Sequence, residues 1–299
     1  MQFEITEHRP MSKHTALLII DPQNDFCDLP ADWCPTDPAS GTRCAPALPV
    51  PGAHADLQRL AAFIDRVGHT LQDITVTLDS HHRHDIAHPG FWQCRDGSSV
   101  APFTPITAAQ VRASEVTPRE ASALPRTLAY LDELEARGRY TLMVWPVHCE
   151  IGSWGHNVHS DLRAAYNSWE TRLQRSVAKI TKGENPWTEH YSAVLAEVPD
   201  PDDNGTQLNQ ALLHRLAPAG HILIAGEASS HCVKATTEDI VTHLPGGRPG
   251  RLTLLTDAMS PVNGFQAQHE AFLADMRSRG VQLATCGQAL AQLQARAAA

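Results

Sequence analysis

Short apolar runs alternate with amphipathic segments along most of the chain. The runs are the length of β-strands and predict strands at residues 15–20, 74–78, 140–144, 176–180, 221–225, 252–256 and 281–284. The segments between them predict helices at residues 53–66, 126–137, 208–216, 232–242, 266–278 and 287–297. In the first of these helices, Leu57, Leu60 and Ile64 recur at i, i+3 and i+7, a spacing that places them on one helical face.

This alternation is typical of βαβ units, in which helices cover both faces of a parallel sheet. The sequence therefore predicts one α/β domain over residues 1–299, with three α/β/α layers around a mainly parallel central sheet. Three stretches interrupt the pattern, at residues 27–51, 93–125 and 152–170. Each follows a strand end or a motif beside one, where parallel sheets bind ligands. We interpret them as insertions that form the walls and lids of a site, with surface decoration as the alternative.

Composition narrows the class of protein further. Hydrophobic residues make up 42% of the 299 residues and charged residues 19%, which is typical of a globular chain. The net charge of −9 opposes binding to nucleic acid or to an anionic membrane, and no apolar run is long enough to span a bilayer. The start, MQFEITEHRP, has no apolar core of a secretory signal, and seven scattered cysteines fit reduced thiols. We therefore expect a cytoplasmic protein.

Candidate acid and metal-binding side chains follow the predicted strands. Asp21 ends the first strand, where it is either a catalytic carboxylate or a turn residue that accepts from nearby amides. Asp79 and His81 follow the second strand and point to the same side of an extended backbone. His88 lies further along this tract, and His148 follows the strand at 140–144. Imidazoles with a carboxylate suit zinc, iron or manganese, whereas a solvated His-rich loop is the alternative.

A candidate nucleophile opens the helix after the strand at 221–225. Cys232 stands at the amino terminus of this helix, where the helix dipole and free amides favour a thiolate. The alternative is a small buried apolar residue. His231 is adjacent in sequence, but neighbours do not face each other on a helix, so we interpret it as a spectator. Lys182 follows the strand at 176–180 and on its own carries little information.

Taken in order, these segments resemble the isochorismatase-like cysteine hydrolases, most closely the nicotinamidase branch. The blocks that carry the resemblance are IIDPQNDF with Asp21, LDSH…HPGF with Asp79, His81 and His88, VWPVHC with His148, KG with Lys182, and GEASSHCV with Cys232. Five blocks in the right order are far more specific than any one of them.

The resemblance implies an enzyme that hydrolyses the carbon–nitrogen bond of a linear amide. Its triad is Asp21, Lys182 and Cys232, with Cys232 as the nucleophile and Asp21 as the acid and base. The oxyanion of the tetrahedral intermediate is bound by the backbone N–H groups of Ala228 and Cys232. The same resemblance implies a cis peptide bond between Glu227 and Ala228.

The resemblance also implies a cofactor and a substrate. One divalent ion, zinc ahead of iron or manganese, is held by a cluster whose members here are Asp79, His81, His88 and His148. His84 is the alternative to His88. Phe26 and Trp145 match aromatic residues that sandwich a pyridine ring, which favours hydrolysis of nicotinamide to nicotinate and ammonia. We also expect a homo-oligomer.

Two departures from the family pattern keep other functions open. The chain is longer than a compact family member, and Glu227 brings a charge to the cis-peptide position. One alternative is the same chemistry on a non-aromatic amide of the carbamoyl or maleamate type. The other is a catalytically silent homologue that serves as a binding protein, which the complete set of Asp21, Lys182 and Cys232 disfavours.

Overall fold

The apolar run TALLII forms a fully buried strand in the middle of a parallel sheet. The computed structural model describes residues 14–298, so residues 1–13, on which the expectation about a secretory signal rests, and residue 299 lie outside it. The strands are β1 (Thr15–Ile20), β2 (Asp73–Asp79), β3 (Trp92–Cys94), β4 (Thr104–Ile106), β5 (Val116–Pro118), β6 (Leu142–Val144), β7 (Ala178–Lys182), β8 (His221–Gly226), β9 (Leu252–Leu255) and β10 (Gln282–Ala284). The central sheet has the order β10-β9-β8-β1-β2-β7, and all its neighbouring strands are parallel.

Helices cover both faces of this sheet. They are α1 (Ala53–Val67), α2 (Ala108–Arg112), α3 (Leu124–Arg137), α4 (Ser160–Leu173), α5 (Gln210–Leu216), α6 (Cys232–His243), α7 (Gln266–Ser278) and α8 (Cys286–Ala298). Because side chains alternate along a strand, Leu18 and Ile20 face one apolar cluster and Leu17 and Ile19 face another. The first cluster is closed by α5, α6 and α7, and the second by α1, α4 and α8. The predicted three-layer α/β/α fold is confirmed.

The second interrupting stretch, residues 93–125, is folded rather than a simple loop. It contains β4, β5 and α2, and its strands form two small antiparallel pairs, β3 with β5 and β4 with β6. The strand predicted at 140–144 is therefore β6, and it lies outside the central sheet. A separate apolar cluster that includes Trp92, Leu131 and Val144 supports this region.

The third stretch, residues 152–170, also differs from the expected insertion. Most of it is the amino-terminal part of α4, which packs on α1. The buried residues Leu162, Tyr166 and Trp169 have the spacing of one helical face. The residues just before this helix are mostly polar residues, histidines and a tryptophan, so the start of the helical spacing is not evident from the sequence. Among residues 14–298, no helix is long and apolar enough to cross a membrane.

A substitution at Gly226 tests how closely the backbones at the ends of β8 and β1 approach each other. Its φ is +112°, and a Cβ there would overlap the backbone of Ile20. We expect Gly226→Ala to lower the free energy of unfolding by at least about 3 kcal/mol, because backbone strain and overlap add. The control is Gly264→Ala, with φ of +86° and open space around the position, which should cost about 1 kcal/mol. Urea unfolding measures both variants, and equal losses would contradict this packing.

Candidate active site

The carboxyl ends of four neighbouring strands bring the predicted catalytic residues together. Asp21 follows β1 directly, and Cys232 begins α6 a few residues after the end of β8. Asp79 and Lys182 are the last residues of β2 and β7 and lie opposite each other in the register of that pair. Because β8, β1, β2 and β7 are neighbours in the sheet, these side chains converge at one edge.

Lys182 stands at the centre of this group. Its Nζ lies 2.9 Å from Asp21 Oδ2, 2.7 Å from Asp79 Oδ1 and 3.6 Å from Cys232 Sγ. The Lys182 side chain is almost fully buried. Burial opposes its charge, but Asp21 and Asp79 outweigh that effect and raise the pKa of Lys182 well above 10.5. The ammonium is therefore a permanent charge that fixes the acid and the thiol relative to each other.

Asp21 is held by its neighbours in a position to exchange a proton. Thr77 donates its hydroxyl to Asp21 Oδ1 at 2.5 Å and accepts from the Asp21 backbone N–H at 3.0 Å. Burial raises the pKa of Asp21 above 3.8, while Lys182 opposes this shift. A carboxylate whose pKa is raised toward neutrality is a better base and, once protonated, still a usable acid.

Burial opposes the Cys232 thiolate that the sequence analysis expected, and the residue adjoins two free backbone donors. Burial raises the pKa of the Cys232 thiol well above 9.0, and Lys182 acts in the opposite direction. The peptide bond between Glu227 and Ala228 is cis. Within residues 14–298, the N–H groups of Ala228 and Cys232 have no hydrogen-bond acceptor. These two donors are the ones that the resemblance implies for an oxyanion.

Three of the four predicted metal ligands form a compact cluster beside Lys182. The second oxygen of Asp79, Oδ2, lies 3.0 Å from His81 Nε2 and 3.3 Å from His148 Nε2. The ligand atoms of Asp79, His81 and His148 all lie within 4.8 Å of one another, and all three residues are buried.

The surrounding groups orient these side chains as a metal site requires. His81 Nδ1 bonds to Asp85 Oδ2 at 3.0 Å, and His148 Nδ1 bonds to the Pro146 carbonyl at 2.8 Å. Each contact leaves Nε2 free to face Asp79, as in carboxylate–histidine–metal arrangements. Although burial opposes its charge, Asp79 and Asp85 raise the pKa of His81 well above 6.5, so a divalent ion that binds here would displace a proton from His81. The donor set and its orientation therefore fit a divalent cation.

His88 lies at the rim of this cluster, and His84 lies outside it. His88 Nε2 is 3.3 Å from His148 Nδ1, and its ring centroid is 5.1 Å from that of His81. Burial lowers the pKa of His88 to about 3, so its imidazole is neutral, as a metal ligand must be. His84 is exposed and packs against Phe91, which makes His88 the better placed of the two alternatives.

Aromatic side chains surround Cys232 and the cluster. Phe26 and Trp145 are buried in the same apolar cluster as Cys232. The Phe26 ring lies 5.5 Å from that of His148, whereas Trp145 meets His231 edge-on at 5.1 Å. The two predicted sandwich residues therefore contact different sides of the site, one beside the histidines and one beside the nucleophile.

Several residues that contact the site were not predicted from the sequence. Thr77 aligns Asp21, Asp85 orients His81, and the Tyr191 hydroxyl accepts from Trp145 Nε1 at 3.0 Å. Asp85 stands within the His-rich tract and could have been found by its i+4 spacing from His81. His231, interpreted above as a spectator, contacts the Trp145 ring and so belongs to the group of aromatic side chains around Cys232.

The other departure from the family pattern is the charged residue Glu227 at the cis peptide bond. It is fully buried, and its Oε2 accepts from the Ser260 N–H at 3.0 Å. Burial, with a contribution from Asp56, raises the pKa of Glu227 well above 4.5. The surroundings therefore oppose the charge that the sequence suggested at the cis-peptide position.

The α/β/α architecture, with acid, ammonium and thiol at one edge of the sheet, is the arrangement that the resemblance to the isochorismatase-like hydrolases implies. The chain is 26% identical over 274 residues to a nicotinamidase of Escherichia coli (strain K12), covering 90% of this chain and 94% of the relative. A solved nicotinamidase/pyrazinamidase of Acinetobacter baumannii superposes with a TM-score of 0.60 at 18% identity, covering 92% and 98% of the two chains. The yeast nicotinamidase bound to the inhibitor nicotinaldehyde gives 0.59 at 17% identity, covering 91% and 99%.

No protein-family model matches the sequence. The pairwise comparisons nevertheless confirm the resemblance to the isochorismatase-like cysteine hydrolases close to their nicotinamidase branch. The relatives in these comparisons are named as nicotinamidases, one of them also as a pyrazinamidase, and these are proteins of the class that the sequence resembles.

Metal content tests the cluster directly. We expect about one divalent ion per purified chain, lost in His81→Ala because that variant removes a central imidazole. His88→Ala should weaken binding about 10- to 100-fold, as loss of a group at the edge of a metal site does. Elemental analysis with a competing chelator measures both variants.

The matched control is His84→Ala, which removes an exposed imidazole from the same tract and should keep the ion. Metal content that is unchanged in His81→Ala would rule out this site.

Proposed function

We propose that this protein hydrolyses the amide of a small carboxamide, with nicotinamide as the favoured substrate and nicotinate and ammonia as products. The observation that carries the proposal is the position of Lys182, whose Nζ contacts Asp21 and Asp79 and lies 3.6 Å from Cys232 Sγ. This arrangement supplies a nucleophile, a proton acceptor and a fixed positive charge at one point. The comparisons with nicotinamidases support the same chemistry.

In the first half of the reaction, Cys232 transfers its thiol proton to Asp21 as Sγ attacks the amide carbon. The carbonyl oxygen becomes an oxyanion that accepts from the N–H groups of Ala228 and Cys232. Each such donor is worth about 10²–10³ in rate. Asp21 then returns the proton to the departing nitrogen. The carbon–nitrogen bond breaks, ammonia leaves, and an acyl thioester remains on Cys232.

In the second half, water replaces ammonia. Asp21 accepts a proton from the water as its oxygen attacks the thioester carbon, and the same two N–H groups bind the oxyanion. The carbon–sulfur bond breaks, and the proton returns to Sγ. Lys182 keeps its proton throughout, because its pKa is raised well above 10.5 by Asp21 and Asp79 against the effect of burial. Its role is to hold the acid and the sulfur in register.

The Asp79, His81 and His148 cluster, with His88 at its rim, would hold one divalent ion. Two or three imidazoles with one carboxylate favour zinc over magnesium or calcium, and iron and manganese are the alternatives. When bound, such an ion supplies a Lewis-acid position that can bind a heteroaromatic nitrogen or a water beside the substrate. Asp79 would share its two oxygens between this ion and Lys182.

The aromatic residues favour a flat ring as the body of the substrate. Phe26 approaches from the side of His148, and Trp145 from the side of His231. Tyr191 fixes the Trp145 indole through its hydrogen bond. An aromatic pair of this kind is worth about 0.5–1.5 kcal/mol beyond the area that it buries, which an aliphatic amide would not gain.

The proposal also covers the cellular compartment and the oligomeric state of the protein. The seven cysteines are free thiols in the structure, which supports a reducing compartment such as the cytoplasm. A homo-oligomer stays a prediction from the family resemblance.

The nucleophile is tested by ammonia release from nicotinamide. We expect Cys232→Ala to lower kcat by at least about 10³-fold, because the covalent route is removed. The control is Cys286→Ala, which removes another buried thiol and should keep nearly full activity. Equal activities of the two variants would overturn the mechanism.

The aromatic preference is tested by the ratio of kcat/KM for nicotinamide to that for propionamide. We expect this ratio to favour nicotinamide in the wild type and to fall about 5- to 10-fold in Trp145→Ala, since ring stacking is lost. Trp187→Ala is the matched control, because Trp187 packs against Phe91 and Arg126. A wild-type enzyme that prefers propionamide would contradict the aromatic site while leaving the triad intact.

A further inference from the structure

A cavity lies on the face of the sheet that α4 covers, whereas Cys232 lies in the apolar cluster on the other face. Its volume is about 540 Å³, and it lies beside β7, the edge strand, against α4. We call it the α4 cavity. None of the residues that line it is among the predicted catalytic, oxyanion, metal-binding or substrate-binding residues. A cavity of this size is typical of small-molecule sites.

The charged residues that line the α4 cavity are both positive. They are Arg163 on α4 and Lys179 on β7, and no carboxylate lines the cavity among the described residues. In the part of the chain that the structure describes, neither side chain forms an ion pair. Both side chains are exposed, and they place two positive charges at one cavity of a chain whose net charge is −9. They create a local field that attracts an anion.

Three aromatic side chains also line the α4 cavity. Trp33, Trp154 and Tyr166 line the same cavity as the two cations. Trp33 is fixed by stacking on His159, with ring centroids 5.1 Å apart and an interplanar angle of 30°. The Lys179 ammonium lies 5.1 Å from the centroid of the Tyr166 ring. A ligand here would meet flat apolar faces and positive charge together.

We propose that the α4 cavity binds a small planar aromatic carboxylate. The guanidinium of Arg163 can take a carboxylate with two parallel hydrogen bonds, and Lys179 adds a second positive charge. The indole rings of Trp33 and Trp154 would pack against the ring of the ligand. The proposal does not depend on the function proposed for Cys232, because the two sites share no lining residue.

Hydrogen bonds connect the wall of this cavity with the segment that carries Asp79. His156, which lines the cavity, bonds through Nε2 to Ser80 Oγ at 2.8 Å. The Gln23 side-chain amide donates to the backbone carbonyls of both Asp79 and His156, at 2.7 and 3.1 Å. The wall of the α4 cavity is therefore linked by hydrogen bonds to residues adjacent to the metal cluster.

Binding of 4-fluorobenzoate to the full-length protein, measured by fluorine NMR, tests the proposal. The neutral comparison probe is 4-fluorobenzyl alcohol, which has the same ring but no amide for the proposed active site to hydrolyse. The test variant reverses both cations, Arg163→Glu with Lys179→Glu. We expect its affinity for 4-fluorobenzoate to fall about tenfold or more, because both charge-assisted contacts are lost.

The matched control makes the same change in net charge elsewhere, with Arg248→Glu and Arg277→Glu. Both of these arginines are exposed, and Arg277 lies on α7 across the sheet from the α4 cavity. The control should bind 4-fluorobenzoate as the wild type does. Trp33→Ala gives a second, uncharged test and should also weaken binding, since it removes one stacking face.

Four results would overturn the proposal. They are the absence of 4-fluorobenzoate binding to the wild type, equal affinity in the double reversal and the wild type, and equal binding of 4-fluorobenzyl alcohol and 4-fluorobenzoate. The fourth is displacement of the probe by inorganic phosphate as effective as that by benzoate, which would indicate an anion site without aromatic recognition. Failure of Cys232→Ala to lose activity would leave all four comparisons unaffected.

Discussion

The buried ammonium of Lys182 is the interaction on which the site depends. It lies within 3 Å of carboxylate oxygens from two different strands, β1 through Asp21 and β2 through Asp79, while itself ending a third strand. An unpaired charge in such a position would be strongly destabilising, so each partner requires the others. The parallel register of β2 and β7, which sets Asp79 opposite Lys182, is what makes this geometry available. The same ammonium then lies near the sulfur of Cys232, which connects the architecture of the sheet to its chemistry.

Asp79 connects the triad to the metal cluster because its two oxygens serve different partners. Oδ1 faces Lys182, and Oδ2 faces His81 and His148. Burial would raise the pKa of Asp79, but His81 and Lys182 hold it well below 3.8, so the group stays ionised. The two carboxylates around Lys182 carry one more charge than the ammonium neutralises. A proton or a divalent ion at the histidines supplies further positive charge and balances the two carboxylates. The shared carboxylates therefore allow an ammonium and a metal site to be neighbours.

Much of this could be predicted from the sequence, because strand ends are marked by local patterns. β1 and α7 have the predicted bounds, and Asp21 and Asp79 follow or end strands that are largely buried. Lys182 ends the half-exposed edge strand β7, and parallel pairing brings all three residues to one edge. The partners that orient them could not be predicted, since Thr77 and Tyr191 act through contacts between residues far apart in the chain. The region at 93–125 was missed as a folded unit for a similar reason. Its strands are three residues long and are stabilised by the apolar cluster that they share with α3 rather than by their own periodicity. The α4 cavity is likewise formed by distant segments.

The central claim is that Lys182 controls the reactivity of the Cys232 thiol, and the rate of alkylation of that thiol tests it most directly. The rate constant for iodoacetamide at Cys232, followed by peptide mapping at fixed pH, would be compared in the wild type, Lys182→Met and Lys234→Met. Lys234 lies on the same helix as Cys232 and pairs with Glu238, so its loss removes a nearby charge without touching the triad. We expect Lys182→Met to slow alkylation about tenfold or more, because a thiolate loses its neighbouring cation, and Lys234→Met to leave the rate nearly unchanged. Alkylation of Lys182→Met at the wild-type rate, in a variant with the wild-type circular dichroism spectrum, would contradict the account.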